Sequence, residues 1–327
     1  MSLRTIHPRT SRINRSEQAV PGSNAHFMEK AAKGEADVVF LDLEDAVAPD
    51  DKERARKQVI EALQDLDWTG KSVSVRINGL DTEYMYRDVV DVVEQAGDKL
   101  DLIMIPKVGT AGDVYAIDAL VSGIEAAKHY TKPIGFELII ETALGMQNLH
   151  EICAASPRIE SLHFGVADYT ASTQARTVNI GGANANYHVL TDADENGERD
   201  AHWADMWHYP ISRIVVAARA NGLRPVDGPF GDISDLPGFE AQALRSAALG
   251  CEGKWAIHPS QLEAVHRIFS PDAKEIQQAQ AILDAMEDAQ REGRGAVSLN
   301  GKMIDLASVR QAENLVNKAA AIAAKTG

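Results

Sequence analysis

The sequence predicts an α/β chain folded as a (β/α)8 TIM barrel with a C-terminal helical lid extension. Two observations carry that reading: short, continuous apolar runs recur eight times, and helical patterns lie between most of them. Strands apolar on both faces and joined by helices belong to parallel sheets buried on both sides. Eight such strands point to a closed barrel rather than an open sheet. A third observation weakens the open-sheet alternative. That architecture needs a glycine-rich phosphate turn after an early strand, and AVPGSN at 19–24 is not GxGxxG.

In chain order the expected strands are EQAVPG (17–22), ADVVFLDLED (36–45), SVSVRIN (72–78), LDLIMIPK (100–107), IGFELIIET (134–142), SLHFGVADY (161–169), LRPVDGP (223–229) and KWAIHP (254–259). Between them, DDKERARKQVIEALQDL (50–66), YRDVVDVVEQAG (86–97) and DVYAIDALVSGIEAAKHY (113–130) carry helical periodicity. The stretch from about Thr177 to Trp207, rich in Asn, Asp and Gly, reads as an oversized loop after the sixth strand. Long loops of that kind belong to the active-site face of a barrel. The pattern then changes. A helix starts at Ser270-Pro271-Asp272, a short AVSLNGKMID follows, and a last helix begins at Leu306. The expected division is residues 1–268 for the catalytic barrel and 269–327 for a lid or oligomerisation segment.

Composition narrows the function classes. A net charge of −15 argues against nucleic acid or an anionic membrane as partner. Cys153 and Cys251 stand in no metal-like or redox-like spacing, and the polar, basic N-terminus is not a secretory signal. A cytoplasmic setting is expected.

In this fold the chemistry sits at the carboxyl ends of the strands. Those ends carry Glu44 and Asp45, Arg76, Lys107, Glu141, Asp168, Asp227 and His258. A carboxylate closing a buried strand is costly unless a cation or hydrogen bonds satisfy it. Glu141 and Asp168 end consecutive strands, and two hard oxygen donors without a Cys or His cluster suit Mg²⁺. The alternative is that each acid caps the next helix or pairs with Arg76 or Lys107. Arg76 offers a planar fork for a small carboxylate, so with the metal it suits a 2-oxo or 2-hydroxy acid. Its alternative is a salt bridge to Glu44 or Asp45, which are placed behind it in an orienting role.

FLDLEDAVAPDDKERAR, VRINGLDT, IMIPKV, ELIIETALG, FGVADYTAS, PVDGPFGD and GKWAIHPSQ together resemble the citrate lyase β-subunit-like (HpcH/HpaI aldolase) family of barrel lyases. DGPFGDISD and IGGANANYHVLTD resemble its malyl-CoA lyase branch more specifically. The resemblance runs through nearly the whole chain, in order. It implies Mg²⁺-dependent, reversible cleavage of L-malyl-CoA to acetyl-CoA and glyoxylate, with β-methylmalyl-CoA as a possible second substrate and Mn²⁺ as a possible substitute metal. Glu141 and Asp168 match the metal ligands, and Arg76 matches the arginine that holds the glyoxylate carboxylate.

Ala19, Val20, Asn24, Lys30, Ala167, Asp168, Ile257 and His258 match substrate and coenzyme A contacts. The branch often carries an aromatic residue and a cation where this chain has Ala19 and Asn24. Asp305 matches an acid/base that a neighbouring subunit's lid supplies, which implies a trimer-based hexamer. Read alone, Asp305 is also a good N-cap for the last helix. Two other readings stand beside the lyase: a thioesterase of the same fold, and a non-catalytic coenzyme A-binding scaffold. The intact set of Glu141, Asp168, Arg76 and Asp305 speaks against the scaffold. His202 and His208 are poorly spaced for zinc, and IGGANANYH lacks the Lys-Ser pattern of a phosphate loop.

Overall fold

The computed structural model describes residues 10–177 and 179–326. The chain divides into two compact units, one ending at Val265 and one beginning at His266.

The first unit holds eight parallel strands: β1 (Ser16–Pro21), β2 (Val38–Asp42), β3 (Ser72–Arg76), β4 (Leu102–Ile105), β5 (Gly135–Ile140), β6 (Ile159–Phe164), β7 (Arg224–Asp227) and β8 (Gly253–Ala256). They close into a barrel in sequence order, with β1 paired to both β2 and β8. Every residue of β2, β4, β5, β6, β7 and β8 is buried. That burial on both faces is why these runs show no polar alternation.

Helices connect the strands. Lys52–Asp65, Met85–Ala96 and Ala111–Lys128 cover the first half of the barrel wall, and His208–Ala220 and Leu236–Leu249 the second. A capping box of Thr110 and Asp113 starts the third of these, and Asp235 accepts from Gly238 N–H to start the last.

Side chains alternate along each strand, so every second residue points into the barrel. One interior layer is apolar and contains Phe40, Met104, Ile139, Val226 and Trp255, with Ala19 against it. On the amino-terminal side of that layer lie Glu17, Glu137 and His163, all fully buried. On the other side lie Asp42, Arg76 and Glu141.

Two departures from the expected elements have a common cause. The long segment after β6 is not all loop: His188–Leu190 and Ala201–Trp203 pair as an antiparallel hairpin. In the second unit, Val297–Leu299 and Lys302–Ile304 form another hairpin around Asn300-Gly301, whose φ angles are 51° and 77°. Asn-Gly is the favoured two-residue hairpin turn, because both positions need positive φ. Three-residue strands are too short to announce themselves by periodicity. The second unit also contains Ala273–Arg291, started by an Asp272/Glu275 capping box, and the final helix Leu306–Thr326. Among the described residues no helix is long and apolar enough to cross a membrane.

Candidate active site

The polar mouth of the barrel is built on the register of β2 and β3. Asp42 lies directly opposite Arg76 in the ladder. The Arg76 guanidinium donates from Nε to Asp42 Oδ1 at 2.7 Å and from Nη2 to Asp42 Oδ2 at 2.6 Å. Its Nη1 is 3.1 Å from Glu44 Oε2. Beneath it lie two rings, Phe40 and Trp255, with the guanidinium carbon 5.6 and 5.8 Å from their centroids. Burial would lower the pKa of Arg76, but Asp42 and then Glu44 outweigh it and raise it. Burial likewise works against ionisation of Asp42, yet the Arg76 charge and fork hold that carboxyl below its ordinary range. An arginine has five N–H donors. Asp42 takes two and Glu44 faces a third, so donors remain for a ligand carboxylate.

Glu141 follows β5 and is 2% exposed. It reaches the mouth because residue 165 is glycine. A Cβ there would lie 2.1 Å from Glu141 Oε2 and 2.4 Å from Glu141 Cβ. Lys107, just after β4, adopts a left-handed backbone with φ of 52°. That conformation is uncommon away from glycine. Here it turns the Lys107 N–H onto Glu141 Oε1 at 2.8 Å. The Lys107 ammonium makes a short contact with Glu44 Oε1 and lies 3.7 Å from Asp45 and 3.8 Å from Asp168.

Asp42, Glu44, Asp45, Glu141 and Asp168 thus gather around two cations, Arg76 and Lys107. Burial pushes the Glu141 carboxyl up to about 8, and the charges of Glu44 and Asp168 add to it against the pull of Arg76. Burial also raises Glu44, with Arg76 and Lys107 pulling it back. Both Glu44 oxygens face cations, Oε2 towards Arg76 Nη1 and Oε1 towards Lys107. Crowded carboxylates, one of them raised towards neutrality by burial, are a donor set that a hard divalent cation would satisfy. Glu141 and Asp168 fit Mg²⁺.

The structure brings Ala19, Val20, Asp45, Arg76, Glu141, Ala167, Asp168 and Ile257 together on one cavity of about 400 Å³, floored by Phe40 and Trp255. Three other expected contacts are not among the residues that line this cavity. Asn24 caps the helix Ala25–Lys33 by accepting from Phe27 N–H. Lys30 is an exposed residue of that helix, and His258 caps a short turn by accepting from Ser260 N–H. In the second unit Asp305 caps the last helix, its Oδ1 accepting from Ala307 and Ser308 N–H at 2.9 and 3.0 Å. Those bonds from Ser308 and Ala307 hold its carboxyl below the ordinary range.

Asp42, Phe40, Trp255 and the Lys107 backbone escaped the sequence reading. Only the β2–β3 register, which sequence does not fix, singles out Asp42 over Glu44 and Asp45. Cys251 is buried, and burial pushes its thiol far up, so it is no nucleophile.

The sequence profile of the HpcH/HpaI aldolase/citrate lyase family matches residues 18–259. The chain is 52% identical over 324 residues, covering 99% of it and 100% of the relative, to an L-malyl-CoA/beta-methylmalyl-CoA lyase of Cereibacter sphaeroides. It is 41% identical, over 89% of it and 83% of the relative, to a malyl-CoA/beta-methylmalyl-CoA/citramalyl-CoA lyase of Chloroflexus aurantiacus. Among solved structures it is similar to CitE of Mycobacterium tuberculosis in complex with magnesium, acetoacetate and coenzyme A. That match has a TM-score of 0.70 and 27% identity, covering 93% of this chain and 97% of that one.

Proposed function

The chain belongs to the HpcH/HpaI aldolase/citrate lyase family, and from that premise we propose that it cleaves L-malyl-CoA reversibly to acetyl-CoA and glyoxylate. β-Methylmalyl-CoA, giving propionyl-CoA and glyoxylate, is a second substrate. The observation that carries this reading is the convergence of Glu141, Asp168 and Arg76 on one cavity in a chain 52% identical to a lyase named for these substrates.

The surroundings of each residue and the family resemblance together support its part. Glu141 and Asp168 hold Mg²⁺, which when bound supplies Lewis-acid stabilisation of negative charge developing on the substrate oxygen; Mn²⁺ substitutes. Arg76 receives the glyoxylate carboxylate on the N–H groups that Asp42 and Glu44 leave free. Asp42 and Glu44 fix the fork's direction, so the carboxylate enters in one orientation. Gly165 and the Lys107 N–H hold Glu141 at the mouth. Asp305 moves the proton at the acetyl methyl carbon. It belongs to the second unit, and the family resemblance supports its action on a neighbouring copy within a trimer-based hexamer. Closure by that segment keeps water away while the carbanion-like carbon is exposed. Val20, Ala167 and Ile257 flank the thioester arm. The acidic chain and its two buried free cysteines support a cytoplasmic setting.

The test is an assay of the purified protein with malyl-CoA, with and without EDTA, trapping glyoxylate and following free thiol. Glyoxylate without free thiol, lost with EDTA and restored by Mg²⁺, is the expected result. Free coenzyme A and malate without glyoxylate would assign the thioesterase instead.

A further inference from the structure

Below the floor of the cavity lies a polar chain that the proposed reaction does not use. Trp255 Nε1–H donates to His163 Nδ1 at 2.8 Å. His163 Nε2 is 2.9 Å from Ser161 Oγ and 3.4 Å from Glu137 Oε1, and Ser161 Oγ donates to Glu137 Oε1 at 3.2 Å. Glu17, Glu137, Ser161 and His163 are all fully buried. The indole nitrogen is donor-only. His163 Nδ1 must therefore present a lone pair, which makes the imidazole neutral with its proton on Nε2.

That tautomer decides what the cluster is. Glu17, Glu137 and His163 offer ligand atoms within 4.8 Å of one another, a spacing a metal ion fits. A ligating Nε2 needs its lone pair, and here the Trp255 bond forces the proton onto it. Both Glu17 oxygens and Glu137 Oε2 are buried without a hydrogen-bond partner. One proton shared between the two carboxyl groups engages one of these oxygens on each, as in other carboxyl pairs that cannot both ionise. Burial, with the Glu137 charge next, pushes the Glu17 carboxyl well up, in the same direction. The lower barrel interior is thus a one-way chain of donors running from Trp255 through His163 and Ser161 to Glu137.

Its upper end is Trp255. The indole packs on Phe40 at 4.7 Å between ring centroids, and the two rings support the Arg76 guanidinium from below. We propose that His163 is a positioning residue for the substrate pocket, holding the Trp255 indole against Arg76 and so setting the fork that receives the 2-oxo acid carboxylate. This rests on the reading of Arg76 given above.

The test compares His163→Leu and His163→Asn in the condensation direction. Asparagine Oδ1 occupies the place of Nδ1 and still accepts from Trp255, whereas leucine accepts nothing. For His163→Leu the KM for glyoxylate is expected to rise about tenfold with kcat within about twofold and the KM for acetyl-CoA unchanged, the pattern of lost carboxylate binding. His163→Asn should recover most of that rise. A wild-type glyoxylate KM in His163→Leu, or an asparagine variant no better than leucine, would overturn the inference. Should His163→Leu not fold, Trp255→Phe deletes the N–H and keeps a ring, and an unchanged glyoxylate KM in it would overturn the inference equally. Arg76→Lys separates the two readings. If it leaves the glyoxylate KM alone, the carboxylate role of Arg76 fails and takes this inference with it. If it raises KM while the His163 variants do not, only the positioning role fails. Glu17→Gln supplies a donor to Glu137 and should keep wild-type KM and bound Mg²⁺ content; loss of a metal ion would show that the cluster is a metal site.

Discussion

Magnesium binding should displace a proton from Glu141. Burial, with Glu44 and Asp168 next, raises that carboxyl to about 8, so at pH 7 about nine-tenths of it is protonated in the metal-free chain. A metal ligand must be ionised. Each Mg²⁺ bound at pH 7 should therefore release ~0.9 proton, falling to ~0.1 at pH 9. The same shift sets a stability trend in the metal-free chain. The folded value lies above the ordinary 4.5, so this group's contribution is fully present below about 4.5 and is lost as pH rises through 8. Its size is at most about 5 kcal/mol, so the stabilisation gained on adding Mg²⁺ should grow between pH 6 and pH 9. Calorimetric Mg²⁺ titrations at pH 7 in two buffers of different ionisation enthalpy report the proton count directly. A count near zero, with melting temperatures that respond to Mg²⁺ equally at both pH values, would mean that Glu141 is already ionised and that the crowding of carboxylates around it has been misread.

Three further outcomes are expected. Gly165→Ala puts a methyl into Glu141, whose Cβ cannot swing away; the variant should lose ~1–3 kcal/mol of stability and its Mg²⁺ response, and retained Mg²⁺-dependent turnover would refute the close-approach argument. Arg76→Lys keeps the charge but loses the fork shared with Asp42, so the KM for glyoxylate should rise at least about tenfold, as steady-state kinetics would show. Asp305→Asn should abolish turnover while leaving the melting temperature and Mg²⁺ binding intact, because asparagine caps a helix as well as aspartate does; intact turnover would leave Asp305 with its cap alone.

Much of this molecule is legible in one dimension. Each barrel strand is a run buried on both faces, so its apolar character is continuous and survives in the sequence. Glu141 stands out for the same reason, since a carboxylate at the end of IGFELII has no cheap structural explanation. Asp305 was legible as a cap because the helix it starts is local. The Asn300-Gly301 hairpin was equally local and was passed over only because its strands are three residues long.

Other features depend on partners distant in sequence. Asp42 becomes the chief partner of Arg76 only through the β2–β3 register, where a slip of one residue would turn it away from the mouth. Lys107 serves Glu141 through a backbone conformation, which its side-chain type does not predict. Glu17, Glu137, Ser161 and His163 look like ordinary strand residues until barrel closure puts β1 across from β5 and β6. The sequence by itself determined the fold class and pointed to Glu44, Glu141, Asp168 and Arg76 at the mouth, because periodicity and the cost of a buried charge act along the chain. Only the tertiary structure decided which acid orients the arginine and what supports it from below, because those follow from closing a barrel.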